Sequence, residues 1–295
     1  MSWGAHQFET YAIQAHLPKR WQLKVSYLAI VIGDQLPDFI AKFWVYGFNL
    51  NGRHYGAKVP QQFHRGWPGA GWSHSLVLGF IVVALWLWRT KDRPWSRAWA
   101  AGFILGFGAH CVTDINDSVG TMLLFPFSTA NFSIGTWAYA ATVKGGKYLD
   151  AAAYYSSFGL VMDLIWLVIV VCSWRVLTRH HWRTRVVAAD PRAWAWLGRR
   201  LSEPLLLAVY RATFFYGVCR VVAWTVWAHL ITGDQHPWGL HWGGPDFVTR
   251  VHLSSLPVWL VLVTAASVLA LVCYVADRIV AGGERQPAEL EPAAP

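Results

Sequence analysis

His110 and Asp114 stand four residues apart at the end of an apolar stretch. On a helix that spacing puts both side chains on one face, one turn from each other. Such a pair suits two ligands to one metal ion, or a base and the carboxylate that orients it. Asp117 follows three residues later on the same side. An imidazole and two carboxylates are costly where a helix leaves lipid, and polar groups at such depth usually mark a site. The plainer reading is a helix end capped at headgroup level. Asp34, Asp38 and Lys42 recur every four residues in another apolar stretch and form a second polar stripe. Asp38 and Lys42 read most simply as an internal ion pair, which leaves Asp34 unexplained beside Pro37.

Neutral imidazoles and carboxylates are the ligands of zinc and similar divalent ions. His64, His74, His110, Asp114 and Asp38 are enough for one ion with a water position, or for two ions sharing a carboxylate. A bound divalent ion lowers the pKa of its water and polarises carbonyl or phosphoryl groups. Arg65 suits an anionic substrate group or a developing charge. Asp34 or Asp117 suits a general base or a partner that orients a ligand. Taken singly, His64 and His74 read as solvent-exposed or helix-start histidines, and Arg65 as an interfacial cation meeting lipid phosphate.

The elements that must position these groups are membrane helices. The 295 residues are 55% hydrophobic and 16% aromatic, with 14% charged and 20 Trp. Soluble domains carry about 25% charged residues, and Trp favours the membrane interface. The net charge of +9 is then explained by basic cytoplasmic loops, and no nucleic-acid partner is implied. Four Cys without a CxxC indicate neither a zinc ribbon nor a disulfide framework. The first 24 residues hold no uninterrupted apolar run of the kind a cleavable signal peptide carries.

The pattern predicts an all-α polytopic membrane protein with about six transmembrane helices and a short amphipathic N-terminal helix. That first helix covers residues 4–17 and is too short to span lipid. The spans are placed at 25–47, 74–88, 98–113, 156–174, 205–231 and 256–276. Gly102 and Gly106 permit close packing of the third. The basic stretches around 19–24, 89–97, 175–200 and the residues after the last span (277–295) hold sixteen Lys and Arg, against six in the opposite loops. That bias puts the first set in the cytoplasm. His64, His74, His110 and Asp114 then lie towards the outer side, with Asp34 and Asp38 in the outer half of the first span. Residues distant in the chain thus converge at one depth. Asp163 and Arg220 fall at similar depths and are expected to meet, or Arg220 to meet Asp34. The loop 232–254 lies on the outer side and suits a lid.

Several ordered motifs carry a resemblance. They are His6; Leu36-Pro37-Asp38; His64-Arg65-Gly66-Trp67; Ser73-His74-Ser75; His110 and Asp114 at four-residue spacing; Gly120; and Phe125-Pro126. Over about residues 1–140 the chain resembles the YdjM-like family of membrane-bound, predicted metal-dependent hydrolases. The resemblance implies that His6 joins the metal ligands Asp38, His64, His74, His110 and Asp114. Two departures stand out. Ile40 occupies the place of a second family Asp, a role Asp34 can take one turn earlier. Residues 68–72 are inserted between the Arg-Gly and the Ser-His elements.

The chain therefore divides into a metal-site domain (1–152), a three-helix membrane extension (153–282) and a disordered tail (283–295). The expected function is metal-dependent hydrolysis near the outer leaflet of an inner membrane, on a lipid or phosphoester, with zinc as the metal. The alternative is a non-enzymatic transporter or metal-binding membrane protein. A transporter favours polar groups along the full depth and often an internal repeat, whereas here they crowd at one end.

Overall fold

The apolar stretches fold as helices, the state that satisfies each backbone N–H and C=O within its own segment where no water can. A computed structural model of the chain describes residues 3–56, 71–90, 93–116, 120–133, 155, 158–231 and 258–282. Helix α1 covers Trp3–His16, and α2 covers Tyr27–Tyr46. A small hairpin of β1 (Phe48–Leu50) and β2 (Arg53–Tyr55) follows, paired antiparallel with Asn49 opposite His54. A 3-10 turn, Gly71–His74, leads into α3 (Leu76–Arg89). Helix α4 is Pro94–Thr113 and tightens into a 3-10 turn at Asp114–Asn116. The later helices are α5 (Phe158–Cys172), α6 (Pro191–Gly198), α7 (Glu203–Val226) and α8 (Val258–Gly282).

The α2–α4 pair is the spine. Small residues let the two backbones touch. A Cβ on Gly33 would lie 2.3 Å from the Phe103 carbonyl oxygen, and one on Gly106 only 2.1 Å from that of Ile30. Gly102 meets the Ser26 carbonyl in the same way, at 2.3 Å. Packing in lipid depends on such close approach, because the hydrophobic effect does not drive helices together there. Ser26 also starts α2, its hydroxyl accepting the Ala29 N–H at 3.0 Å. Helices α3 and α8 pack on further faces of α4.

Helix α1 lies inside the molecule rather than along an interface. Ala5, His6, Phe8, Glu9, Thr10, Tyr11 and Ala12 are all buried. It packs against α2, α4, α5 and α7. The Tyr11 hydroxyl donates to the Tyr210 carbonyl on α7. A helix of 14 residues has no need to span lipid when its task is to fill the space between spans.

Among the described residues, three helices have the length and apolar composition of membrane spans: Trp95–Asn116, Glu203–Leu230 and Trp259–Gly282. The segments Leu76–Arg89 and Gly159–Cys172 are apolar but shorter. Helix α2 has the length but carries Asp34, Asp38 and Lys42. Exposed apolar side chains such as Val168, Val209, Phe215, Leu262 and Val263 cover the outer faces of α5, α7 and α8. Lipid is the solvent that suits such faces. The basic stretch after α5, read from the sequence as a loop, is built from short helical pieces over Trp174–Val187, followed by α6. Trp182 and Val186 are buried there, which anchors the stretch to the bundle. Asp163 is buried and accepts the Tyr155 hydroxyl at 3.2 Å. Arg220 donates to the Tyr216 hydroxyl at 3.0 Å and lies over its ring.

Candidate metal centre

Four elements bring the site residues together. Helix α1 supplies His6, α2 supplies Asp34 and Asp38 one turn apart, the turn before α3 supplies His74, and the end of α4 supplies His110 and Asp114. All six are buried, none more than 4% exposed. The close approach of Gly33 and Gly106 sets the distance between the stripe on α2 and the end of α4.

The rings of His6 and His110 stack, with centroids 4.0 Å apart and planes 23° from parallel. Two edges result. At the Nε2 edge, His110 Nε2 is 3.2 Å from His74 Nε2 and 3.4 Å from Asp114 Oδ2. His74 Nε2 is 3.5 Å from Asp114 Oδ2 and 3.7 Å from Asp38 Oδ1. His6 Nε2 faces the other oxygen of Asp114, Oδ1, at 3.4 Å. At the Nδ1 edge, His6 Nδ1 is 3.6 Å from Asp34 Oδ1, and His110 Nδ1 is 4.0 Å from the same oxygen.

These separations test the fit of a metal. Two ligands at about 2.0–2.1 Å from a tetrahedral ion stand about 3.3 Å apart. The Nε2-edge contacts cluster around that spacing. Asp38, His74, His110 and Asp114 offer ligand atoms all within 4.8 Å of one another, and so do His6, Asp34 and His110. Several atoms also point into the centre with no hydrogen-bond partner: His6 Nε2, Asp34 Oδ1 and His110 Nδ1. Buried polar atoms are nearly always paired, so this cluster of exceptions fits a site that can hold a metal ion.

Supporting contacts fix the ligands' orientation. Ser73 Oγ lies 3.0 Å from His74 Nδ1, which leaves Nε2 directed at the centre. Lys42 pairs with Asp38 Oδ2, and Oδ1 faces His74. The plain ion-pair reading of Asp38 and its reading as a site residue therefore hold together, one oxygen each. The 120–133 segment acts as a strap. Leu76 N donates to the Leu123 carbonyl at 3.0 Å, and the Ser75 hydroxyl donates to the Phe125 carbonyl. Thr121 bridges Phe132. Gly120, at φ 65°, has the Phe132 oxygen 2.1 Å from where a Cβ would stand. Gly120 and Phe125 thus help to hold the turn that carries His74.

Of the residues picked from sequence, His6, Asp34, Asp38, His74, His110 and Asp114 come together. Asp34 stands at the centre, where the missing partner at Ile40 left a role to fill. His64, Arg65 and Asp117 lie outside the described residues, as does the 232–254 loop. One residue escaped the sequence reading. Glu9 is fully buried, with Oε2 3.1 Å from His6 Nδ1 and 3.3 Å from the Thr113 hydroxyl that donates to it. The signal was present, because His6 and Glu9 are three apart on one helix and share a face. In a short amphipathic helix an acid is ordinary, so Glu9 does not stand out from residue type alone.

The architecture defines a helical membrane protein with a buried His/Asp cluster able to hold a metal ion. The chain matches the family described as YdjM inner membrane protein over residues 1–182, more than half its length, and belongs to that family. The match runs past the motifs near residue 126 and through α5. No curated protein and no solved structure matched the chain.

Proposed function

We propose that the protein is a membrane-bound, metal-dependent hydrolase acting near the outer leaflet on a lipid or other phosphoester substrate. The observation that carries this reading is the inward-facing Nε2 edge: two imidazoles and two carboxylates, from three separate elements, at ligand-to-ligand spacing. Asp38, His74, His110 and Asp114 would hold the ion, and zinc suits that donor set. A divalent ion bound there supplies an activated water and a Lewis acid for a phosphoryl or carbonyl oxygen. Ser73 and Lys42 keep His74 and Asp38 in their ligating orientations. Arg65 is assigned the anionic group of the substrate, and Asp117 a proton-transfer role.

The sequence bias of Lys and Arg supports an outward-facing site in a multi-pass protein. Transport is the weaker reading, because the described His and Asp ligand candidates cluster together, whereas a transport path favours polar groups through the full depth. The deciding experiment combines metal analysis with turnover. Purified protein should carry zinc or manganese and release product from a chromogenic phosphodiester or from headgroup-labelled vesicles. Chelation, His110→Ala and Asp114→Ala should each abolish both. Protein prepared without chelators that binds no divalent metal would sink the reading.

A further inference from the structure

The Nδ1 edge of the stacked pair is not needed to explain the first cation, yet it is built from ligand-type groups. His6 Nδ1 lies 3.1 Å from Glu9 Oε2 and 3.6 Å from Asp34 Oδ1. His110 Nδ1 lies 4.0 Å from Asp34 Oδ1. That last gap is too wide for a hydrogen bond, and both atoms are buried with no hydrogen-bond partner, as is Glu9 Oε1. Two donors bracketing one ion, each about 2.0–2.2 Å from it, are separated by about 3–4 Å. From these observations we propose that the centre is dinuclear: a second divalent cation is held on the Nδ1 edge by His6, Glu9 and Asp34, with the His110 ring between the two positions. This deepens the metal-dependent reading above and rests on it.

Charge points the same way. Glu9, Asp34, Asp38 and Asp114 are carboxylates buried in one centre, and carboxylates gathered out of water call for cations to offset them. The second position has one imidazole and two carboxylates, against two of each at the first. It therefore favours a harder ion such as manganese or magnesium.

The test uses full-length protein in detergent, loaded with Mn(II) and freed of unbound metal. Elemental analysis should give two Mn per chain, and low-temperature EPR a spin-coupled pair instead of the six-line signal of isolated Mn(II). Glu9→Gln and Asp34→Asn should each retain one Mn per chain with the six-line signal. One Mn per chain in the wild type, with an isolated spectrum, overturns the second position and leaves the metal-dependent reading standing. Two uncoupled Mn that survive both substitutions overturn it equally, because the second ion then lies elsewhere. No bound metal in the wild type removes both readings together. Should the variants fail to fold, the wild-type stoichiometry and coupling decide the matter.

Discussion

Helix α4 and the later helices α7 and α8 share an apolar composition but are surrounded differently. Of the most apolar part of α4, 72% is buried within the protein, against 33% for that of the helix Glu203–Leu230 and 28% for that of the helix Trp259–Gly282. Helix α4 has protein on several sides, touches α2 backbone to backbone, and ends on His110 and Asp114. Helices α7 and α8 turn one side to the bundle and leave residues such as Val209 and Val263 on the outside. Hydropathy alone cannot distinguish the two situations, because lipid and a protein core are both apolar. What separates them is the small residue at a fixed interval, which marks where another backbone must fit.

The sharpest way to break this contrast is to crowd the spine. Gly106→Val drives a side chain into the Ile30 carbonyl. It should cost about 3 kcal/mol or more, seen as loss of monodisperse protein on fluorescence-detected size exclusion. Gly198→Ala, where nothing lies within 4 Å, should leave the elution profile unchanged. A destabilised Gly198 variant, or a tolerant Gly106 variant, would erase the distinction drawn here.

Removing the metal comes next. A ligand present at about a thousand times its Kd stabilises the native state by about 4 kcal/mol. Chelation should therefore lower the thermal midpoint of the wild type by several degrees. In His110→Ala and Asp114→Ala the midpoint should no longer respond to added zinc or manganese. A similar response in the variants would place the metal outside this cluster.

The two environments then separate by truncation. Ile104→Ala, at a fully buried position on α4, should cost about 2–5 kcal/mol. Val263→Ala, 58% exposed on α8, should stay within about 0.5 kcal/mol. Thermal denaturation of both variants in one detergent gives the comparison, and equal losses would show that α8 is not lipid-facing at that position.

The smallest effect lies outside the spans. His181 is pushed down to about 4 from its ordinary 6.5, first by burial, then by Arg185 and His180. Its Nε2 donates to the Gln14 side-chain oxygen at 2.7 Å, joining the basic stretch to α1. Between the two values the unfolded chain binds the extra proton and the folded chain does not. Stability thus falls as pH drops from about 6.5 towards 4. The wild type should lose midpoint over that window and His181→Gln should lose less; identical acid profiles would reject the link.

Much of the centre was legible because its chemistry is expensive in lipid. Asp34, Asp38, His110 and Asp114 interrupt apolar helices, and a charge or imidazole there demands a reason. The helical spacing then tells which side chains share a face. Glu9 was not legible in the same way, because its helix reads as a short amphipathic segment in which an acid is ordinary. Only the packing of α1 among α2, α4, α5 and α7 makes that acid costly. The structural roles of Gly120 and Phe125 were also hidden. They act through backbone contacts with the start of α3, and a carbonyl position leaves no trace in residue type. The helical character of the stretch after α5 was masked by its many arginines, whose stems can cover apolar surface while their heads stay in water.

The position of α1 has a consequence for biogenesis. His6 and Glu9 precede every other centre residue along the chain, yet the helix that carries them is enclosed by α5 and α7, which emerge from the ribosome much later. During synthesis the α2–α4 unit can assemble with Asp34, Asp38, His74, His110 and Asp114 already in reach of one another. The earliest helix gains the rest of its packing only when the later ones arrive. A nascent chain arrested before α7 would therefore hold α1 only by its contacts with α2, α4 and α5, without the α7 packing that closes over it in the finished protein.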